Sequence, residues 1–324
     1  KIAYGFENNL YVKDLKSGNV TQITFDGQKN KIINGITDWV YEEEFSFVRA
    51  FDWNADSNLI AFIRFDESDV PEFSMDVYGS GLYQTQQVFK YPKAGEKNSK
   101  VSLHLYDLQT KKLQELKVDK AYEDFYIPRL KWTNDANVLI AQYMNRHQNE
   151  LDLWFINTKT MDYDLVLEEK DDAYIDVTFN LTFLKDNSFI WTSEKDGFNH
   201  IYHYDKNGKL INQVTDGDWE VTDYYGFNEK ANTIYYQSTE NGSINRDVYS
   251  VKLNGKNKNR LTKTEGTNSA SFSADFTYFI NTHSSATTPY EYTLHDSKNG
   301  NLVKGIKDND KLAQKVGDYV TSKK

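Results

Sequence analysis

The sequence predicts an all-β fold built from repeated four-stranded antiparallel sheets, and three observations carry that prediction. Across 324 residues, 23 Tyr and 19 Phe stand against only 4 Pro, a balance that favours pleated, half-buried strands over disorder or a Pro-rich linker. A strand–turn–strand pattern recurs along the chain, which is the mark of a repeat architecture. The copies end on polar turns of hairpin type, such as Lys16-Ser17-Gly18-Asn19 and Lys206-Asn207-Gly208-Lys209.

Each copy opens on an aromatic residue, followed by Asp or Asn, a short polar turn and an apolar strand, as in Phe51-Asp52-Trp53-Asn54 leading to Leu59-Ile60-Ala61-Phe62. Echoes centre on Trp132, Phe183, Phe227 and Phe272, and counted from Trp53 the intervals are 79, 51, 44 and 45 residues. A third strand of alternating apolar residues follows, with six copies beginning at Asn9, Ser102, Asp152, His200, Asp247 and Glu291, often closed by an Asp. A short fourth strand comes after the turn, as in Val20-Thr21-Gln22-Ile23. Four antiparallel strands every ~45 residues is the period of a β-propeller blade. Residues 1–306 therefore read as six blades, the first lacking its inner strand, and such an arc fits a part of a larger, eight-bladed ring.

Two insertions break the period. The long interval requires roughly 30 extra residues between the second and third strands of one blade, over 66–97, where Pro71, Gly79, Gly81, Pro92 and Gly95 suit an arm leaving the blade. A second insertion, 26–47, precedes Phe51, and loops entering inner strands open onto a propeller's tunnel or faces, so carboxylates there can project into an enclosed space. Residues 307–324 lose the strand pattern and read as a charged, partly helical linker towards a further domain. The opening Lys1-Ile2-Ala3-Tyr4 looks like the middle of a strand, as if cut from something longer.

Composition excludes several functions. A formal charge of −10, without a basic patch interleaved with aromatics, argues against nucleic acid. No apolar run approaches the ~18 residues of a membrane span. With no Cys, disulfides, thiolate catalysis and zinc–thiolate sites are out. No Gly-x-Ser-x-Gly elbow is present, and Gly79-Ser80-Gly81 has the wrong spacing for one. His200 and His203, three apart on a strand, fall on opposite faces and do not suggest a metal site. Asp205-Lys206-Asn207-Gly208 resembles the start of a calcium loop but lacks the glutamate at the twelfth position, so a hairpin turn explains it better. No metal or other cofactor is expected.

The chemically pointed stretch is Asp38-Trp39-Val40-Tyr41-Glu42-Glu43-Glu44-Phe45, with three consecutive carboxylates among bulky aromatics. Each carboxylate disfavours ionisation of its neighbours, and a cation relieves the cost. In a helical turn successive side chains diverge by roughly 100°, so two of the three can lean on one point, which suits a compact ammonium group. A solvated acidic turn is the plainer alternative.

Asp38 to Glu44 resembles the Asp-Trp-Val-Tyr-Glu-Glu-Glu signature of the dipeptidyl peptidase IV family, serine exopeptidases with an N-terminal β-propeller and a C-terminal α/β-hydrolase domain. The resemblance continues through Phe65-Asp66-Glu67-Ser68-Asp69-Val70-Pro71, Tyr91-Pro92-Lys93-Ala94-Gly95, Asn145-Arg146-His147-Gln148-Asn149 and Asp218-Trp219-Glu220-Val221. It covers only the propeller part of the family. It implies that Glu43 and Glu44 hold the free α-amino group of a peptide carrying Pro or Ala at its second position, supported by Glu42, Trp39 and Tyr41. It also implies that arm 66–97 is a homodimer contact, that catalysis belongs to a hydrolase domain of the same parent protein, and that the location is periplasmic or at the cell surface. The family's Arg that grips the substrate carbonyl comes from an earlier blade and is assigned to no residue here, and Arg146 fits a structural role better. A stand-alone propeller binding glycans or proteins through exposed aromatics is the alternative function.

Overall fold

The computed structural model describes residues 1–118, 123–317 and 319. The chain divides into two compact units, Lys1–Val177 and Thr178–Lys324. The first holds a three-stranded sheet of β1 (Ile2–Phe6), β2 (Asn9–Lys13) and β3 (Val20–Gln22). Next comes a five-stranded sheet of β4 (Ile32–Asn34), β5 (Phe51–Trp53), β6 (Leu59–Asp66), β9 (Lys100–Asp107) and β10 (Leu113–Leu116), from which the separate hairpin β7 (Glu72–Val77) and β8 (Thr85–Lys90) departs. A four-stranded sheet, β11 (Phe125–Trp132), β12 (Val138–Asn145), β13 (Glu150–Asn157) and β14 (Tyr163–Lys170), completes the unit.

The second unit repeats the blade three times. Its sheets are β15 (Thr182–Phe183) to β18 (Leu210–Gln213) through β16 (Phe189–Ser193) and β17 (His200–Tyr204), then β19 (Val221–Asn228), β20 (Thr233–Ser238), β21 (Asp247–Lys252) and β22 (Asn259–Arg260), and finally β23 (Thr267–Phe272), β24 (Tyr278–Ser284), β25 (Glu291–Asp296) and β26 (Leu302–Lys307). All ladder pairings within these sheets are antiparallel and run in chain order. The fold is thus all-β, made of β-propeller blades. Every predicted third strand lies on a strand of the structure. Residues 307–324, expected to be a linker, contribute the short helix Asp310–Val316, while residues 318 and 320–324 lie outside the described ones.

Within each unit the sheets meet through apolar side chains on alternate strand positions. Leu10, Val12 and Ile23 of the first sheet join Phe51, Ile60, Phe62 and Tyr106 of the second. In the second unit Ile190, Ile201 and Val214 pack with Val221, Ile234 and Tyr236, and Tyr235 and Val248 pack with Leu261 and Phe279. The closing Asp or Asn of the third strands has a physical reason. Asp14 Oδ1 accepts from the N–H groups of Lys16 and Ser17 at 2.9 Å, and Asp107, Asn157, Asp205 and Asp296 repeat the bond two residues on. Such a side chain closes the turn as a backbone carbonyl would, and Gly208, at φ 82°, then supplies the left-handed residue. The calcium-loop look-alike is this hairpin turn.

The second sheet holds the departure from expectation. Insertion 26–47 does not lie wholly outside the blade: its residues 32–34 form β4, which pairs with one half of β6 (Ile32↔Asp66 to Asn34↔Arg64), while β5 pairs with the other half (Phe51↔Phe62 to Trp53↔Ile60). The innermost strand is therefore split, and residues 35–50 leave and re-enter it. Their ends are paired, with Gly35 C=O accepting from Ala50 N–H at 3.1 Å and Val48 C=O accepting from Thr37 N–H at 3.1 Å. Arm 66–97 is the β7–β8 hairpin, placed between the second and third strands of the blade.

Candidate functional site

The excursion carries helix α1 (Trp39–Glu43), capped by Asp38 in extended conformation, whose side chain accepts from Tyr41 N–H at 3.1 Å. An Asp at this position satisfies one of the helix's unpaired N–H groups and is worth about 1 kcal/mol. Glu42 adds a negative charge in the first turn, where the helix dipole favours it. Glu44 keeps helical angles, φ −79° and ψ −36°, so Glu42, Glu43 and Glu44 fan out in steps of roughly 100°. Val40, Tyr41 and Phe45 are buried while the three glutamates are exposed.

A five-residue helix cannot hold itself in water, and tertiary contacts hold this one. The Tyr41 ring, 2% exposed, sits against Phe65 at 4.8 Å, Phe45 at 5.1 Å, Phe47 at 5.8 Å and Tyr126 at 6.1 Å between centroids. Its hydroxyl accepts from Ile127 N–H at 2.8 Å. That donor is free of the ladder because β11 changes register between Tyr126 and Arg129 around Pro128, which is where a strand tolerates proline. Burial pushes the Tyr41 phenol well above its ordinary range, so it stays neutral and keeps accepting. Trp39 packs edge-on against Tyr91 at 4.3 Å, at the base of the arm.

Behind the cap lie groups that sequence reasoning missed. Ser99 Oγ donates to Asp38 Oδ2 at 2.6 Å, and Asn98 Nδ2 donates to Tyr126 Oη at 2.6 Å. Burial raises the Asp38 carboxyl, against the bonds from Ser99 and the helix N–H groups that lower it. Glu67 is 6% exposed, and burial, followed by the Asp38 charge, pushes it up to about 7, with Lys90 opposing. In contrast, among the described residues no side-chain hydrogen bond or ion pair engages Glu42, Glu43 or Glu44. The structure thus brings Trp39, Tyr41, Glu42 and Glu43 onto one helix with Glu44 as its C-cap, the aromatics anchoring it and the carboxylates exposed.

The model of the dipeptidyl peptidase IV N-terminal region matches residues 1–290. The chain belongs to that family. A solved structure similar to this family member is the dipeptidyl peptidase 4 of Porphyromonas gingivalis, at 39% identity and a TM-score of 0.91, covering 97% of this chain and 44% of that one. Among sequences, the dipeptidyl peptidase 4 of Arthroderma otae is 32% identical over 337 residues, covering 98% of this chain and 43% of that protein. The chain therefore spans less than half the length of these relatives.

The remaining candidates in this family member are engaged structurally. His200 bonds Thr215 Oγ1 at 3.1 Å and Gly217 C=O at 2.9 Å, while His203 bonds Ser188 Oγ at 3.0 Å. Arg146 pairs with Asp124 at 2.8 Å and donates to Glu96 C=O. One carboxylate cluster escaped sequence reasoning: Glu150, Asp152 and Glu168 come within 4.8 Å of one another through β13 and β14. Lys170 already lies 3.0 Å from Glu168 and 3.8 Å from Glu150. No described helix is long and apolar enough to cross a membrane.

Proposed function

We propose that this chain is the non-catalytic propeller portion of a dipeptidyl peptidase IV-like serine exopeptidase, and that Glu43 and Glu44 anchor the free N-terminus of the peptide substrate. The observation carrying the reading is the contrast within α1: Asp38 is spent on capping, while Glu43 and Glu44 stand exposed on the same rigidly seated helix. An α-amino group has an ordinary pKa near 8 and is largely charged at neutral pH. A carboxylate about 4 Å away attracts it by roughly 4 kcal/mol at intermediate dielectric, before desolvation is subtracted. Two carboxylates about 100° apart on a helix can share one ammonium. Glu42, Trp39 and Tyr41 are supporting residues.

Fixing the N-terminus at one point fixes which peptide bond reaches a nucleophile elsewhere, so the site serves as a ruler for releasing Xaa-Pro or Xaa-Ala dipeptides. The benefit is orientation. The hydrolase chemistry belongs to an α/β-hydrolase domain of the parent protein, whose location by this reading is the periplasm or cell surface. The arm, with Tyr78, Leu82 and Tyr83 at 78%, 98% and 87% exposure, is the proposed homodimer contact.

Calorimetric titration with the peptide Ala-Pro-Ala and its N-acetyl form tests the anchor. Binding that acetylation abolishes, and that Glu43→Gln with Glu44→Gln also abolishes, is the expected result. Equal binding of both forms favours the alternative, a stand-alone propeller that binds glycans or proteins through exposed aromatics. Cleavage of a Gly-Pro chromogenic amide by this chain alone would sink the non-catalytic assignment.

A further inference from the structure

We propose that Ser99 is a positioning residue for the amine anchor: its hydroxyl locks the Asp38 cap and thereby sets the direction in which Glu43 and Glu44 point. The inference rests on the amine reading above and adds a residue outside the acidic motif.

The geometry is a division of labour within one carboxylate. Asp38 Oδ1 accepts from Tyr41 N–H at 3.1 Å, and Oδ2 accepts from Ser99 Oγ at 2.6 Å. Both residues are 6% exposed, so water is a poor substitute for either bond, and a buried carboxylate oxygen left without a donor costs more than a surface one. Ser99 stands immediately before β9 (Lys100–Asp107), a central strand of the blade. The bond therefore ties the N-cap of the excursion's helix to the start of an inner strand of the sheet. Asn98 makes a parallel tie one residue earlier, holding Tyr126, whose ring packs on Phe45 at 5.2 Å. The beginning and the end of the acidic segment are thus both held from residues 98 and 99.

The remaining neighbour sharpens the dependence on Ser99. Glu67 lies close enough for its charge and that of Asp38 to repel each other, so without the Ser99 donor Asp38 has reason to turn away from the blade. Tyr41 stays seated, held by Ile127 N–H and its aromatic shell, so a shift of the cap makes the one-turn helix pivot about that ring, which re-aims Glu43 and Glu44. The expected outcome is a folded protein whose carboxylates are misdirected.

The test uses the full chain, with Ala-Pro-Ala and N-acetyl-Ala-Pro-Ala titrated calorimetrically into wild type, Ser99→Ala, Ser99→Thr and Asp38→Asn. Asn keeps an oxygen to accept from Tyr41 N–H and puts an amide donor opposite Ser99 Oγ, so the charge-assisted bond gives way to a weaker neutral one. The ratio of the two affinities is the readout, since a purely structural role lowers the unfolding midpoint and leaves the ratio intact. The proposal expects the ratio to fall on the order of tenfold in Ser99→Ala and Asp38→Asn, and to recover in Ser99→Thr, which keeps the hydroxyl. If Ser99→Ala does not fold, Asp38→Asn decides. A wild type that discriminates alongside variants that discriminate equally well overturns this proposal alone. A wild type without discrimination overturns the amine reading, and this proposal with it.

Discussion

The two insertions border the same strand, β6: the excursion interrupts the strand paired along its edge and the arm follows its C-terminal end. Excursion 35–50 presents charge and is clamped by buried aromatics, a capped N-terminus and two hydrogen bonds to distant backbone and side chain. Arm 66–97 presents apolar side chains: Leu82 is 98% exposed at its tip, while the aromatic packing of its hairpin lies near the base, where Phe73, Phe89 and Tyr91 meet at 5.4 to 6.4 Å. On the proposed amine reading, the excursion has to be held still because its selectivity is a matter of aim. On the proposed dimer reading, the arm needs reach and exposed apolar area. What separates them is how far along each segment burial extends: Tyr41 and Phe45 are buried within the excursion, whereas Tyr78, Leu82 and Tyr83 of the arm are exposed.

That comparison breaks most visibly at Tyr41. Tyr41→Ala removes a ring that is 2% exposed and should cost about 3–5 kcal/mol in urea unfolding, whereas the paired change of Leu82 and Tyr83 to Ser at the arm tip should stay within about 0.5 kcal/mol. Similar losses at both places would mean that the excursion is no better seated than the arm.

The buried carboxyl at Glu67 gives the next largest effect and a sign. Its ordinary value is 4.5 and the folded value is about 7, so the folded state retains a proton that the unfolded chain has already released. Glu67's contribution to stability is then most favourable below pH 4.5, declines as the pH rises to about 7 and is flat above, a difference of roughly 3 kcal/mol. Glu67→Gln should raise the thermal midpoint at pH 8 and leave it nearly unchanged at pH 4.5. An identical shift at both values would show that Glu67 does not titrate in this range.

Tyr41→Phe isolates the hydroxyl. It keeps the aromatic packing and strands Ile127 N–H, for an expected loss of about 1–3 kcal/mol, measurable by the same urea titration. No loss would mean that Ile127 finds another acceptor. The smallest stability effect belongs to the arm tip, where the informative readout is sedimentation: Leu82→Ser with Tyr83→Ser should shift any dimer towards monomer, and an unchanged distribution would remove the arm as the contact.

Much of this was legible in the sequence. The blade repeat showed because each third strand alternates and ends on a side chain that must close its own turn, a local requirement that leaves Asp14, Asp107 and Asp205 at matching places. The acidic motif showed because three carboxylates in a row are rare beside aromatics. Strand β4 did not show, since three residues are too few to display a period of two. Glu67 and Ser99 were hidden for another reason. Glu67 lies in the charged run Asp66-Glu67-Ser68-Asp69, which reads as solvated surface, and Ser99 is 61 residues from the carboxylate it serves. Ile127 is 86 residues from Tyr41. Such partners are chosen by folding, and no spacing rule announces them.

The split inner strand has a consequence for redesign. Because residues 35 and 50 are hydrogen-bonded neighbours and β6 accepts β4 and β5 end to end along one edge, the intervening segment is a closed loop whose ends stay together whatever its length. Closing a longer loop between fixed ends adds only about 0.6 kcal/mol per doubling. The blade can therefore serve as a socket into which a different recognition segment is spliced between Ile36 and Arg49, provided the newcomer brings its own bulky side chain to fill the space that Tyr41 occupies.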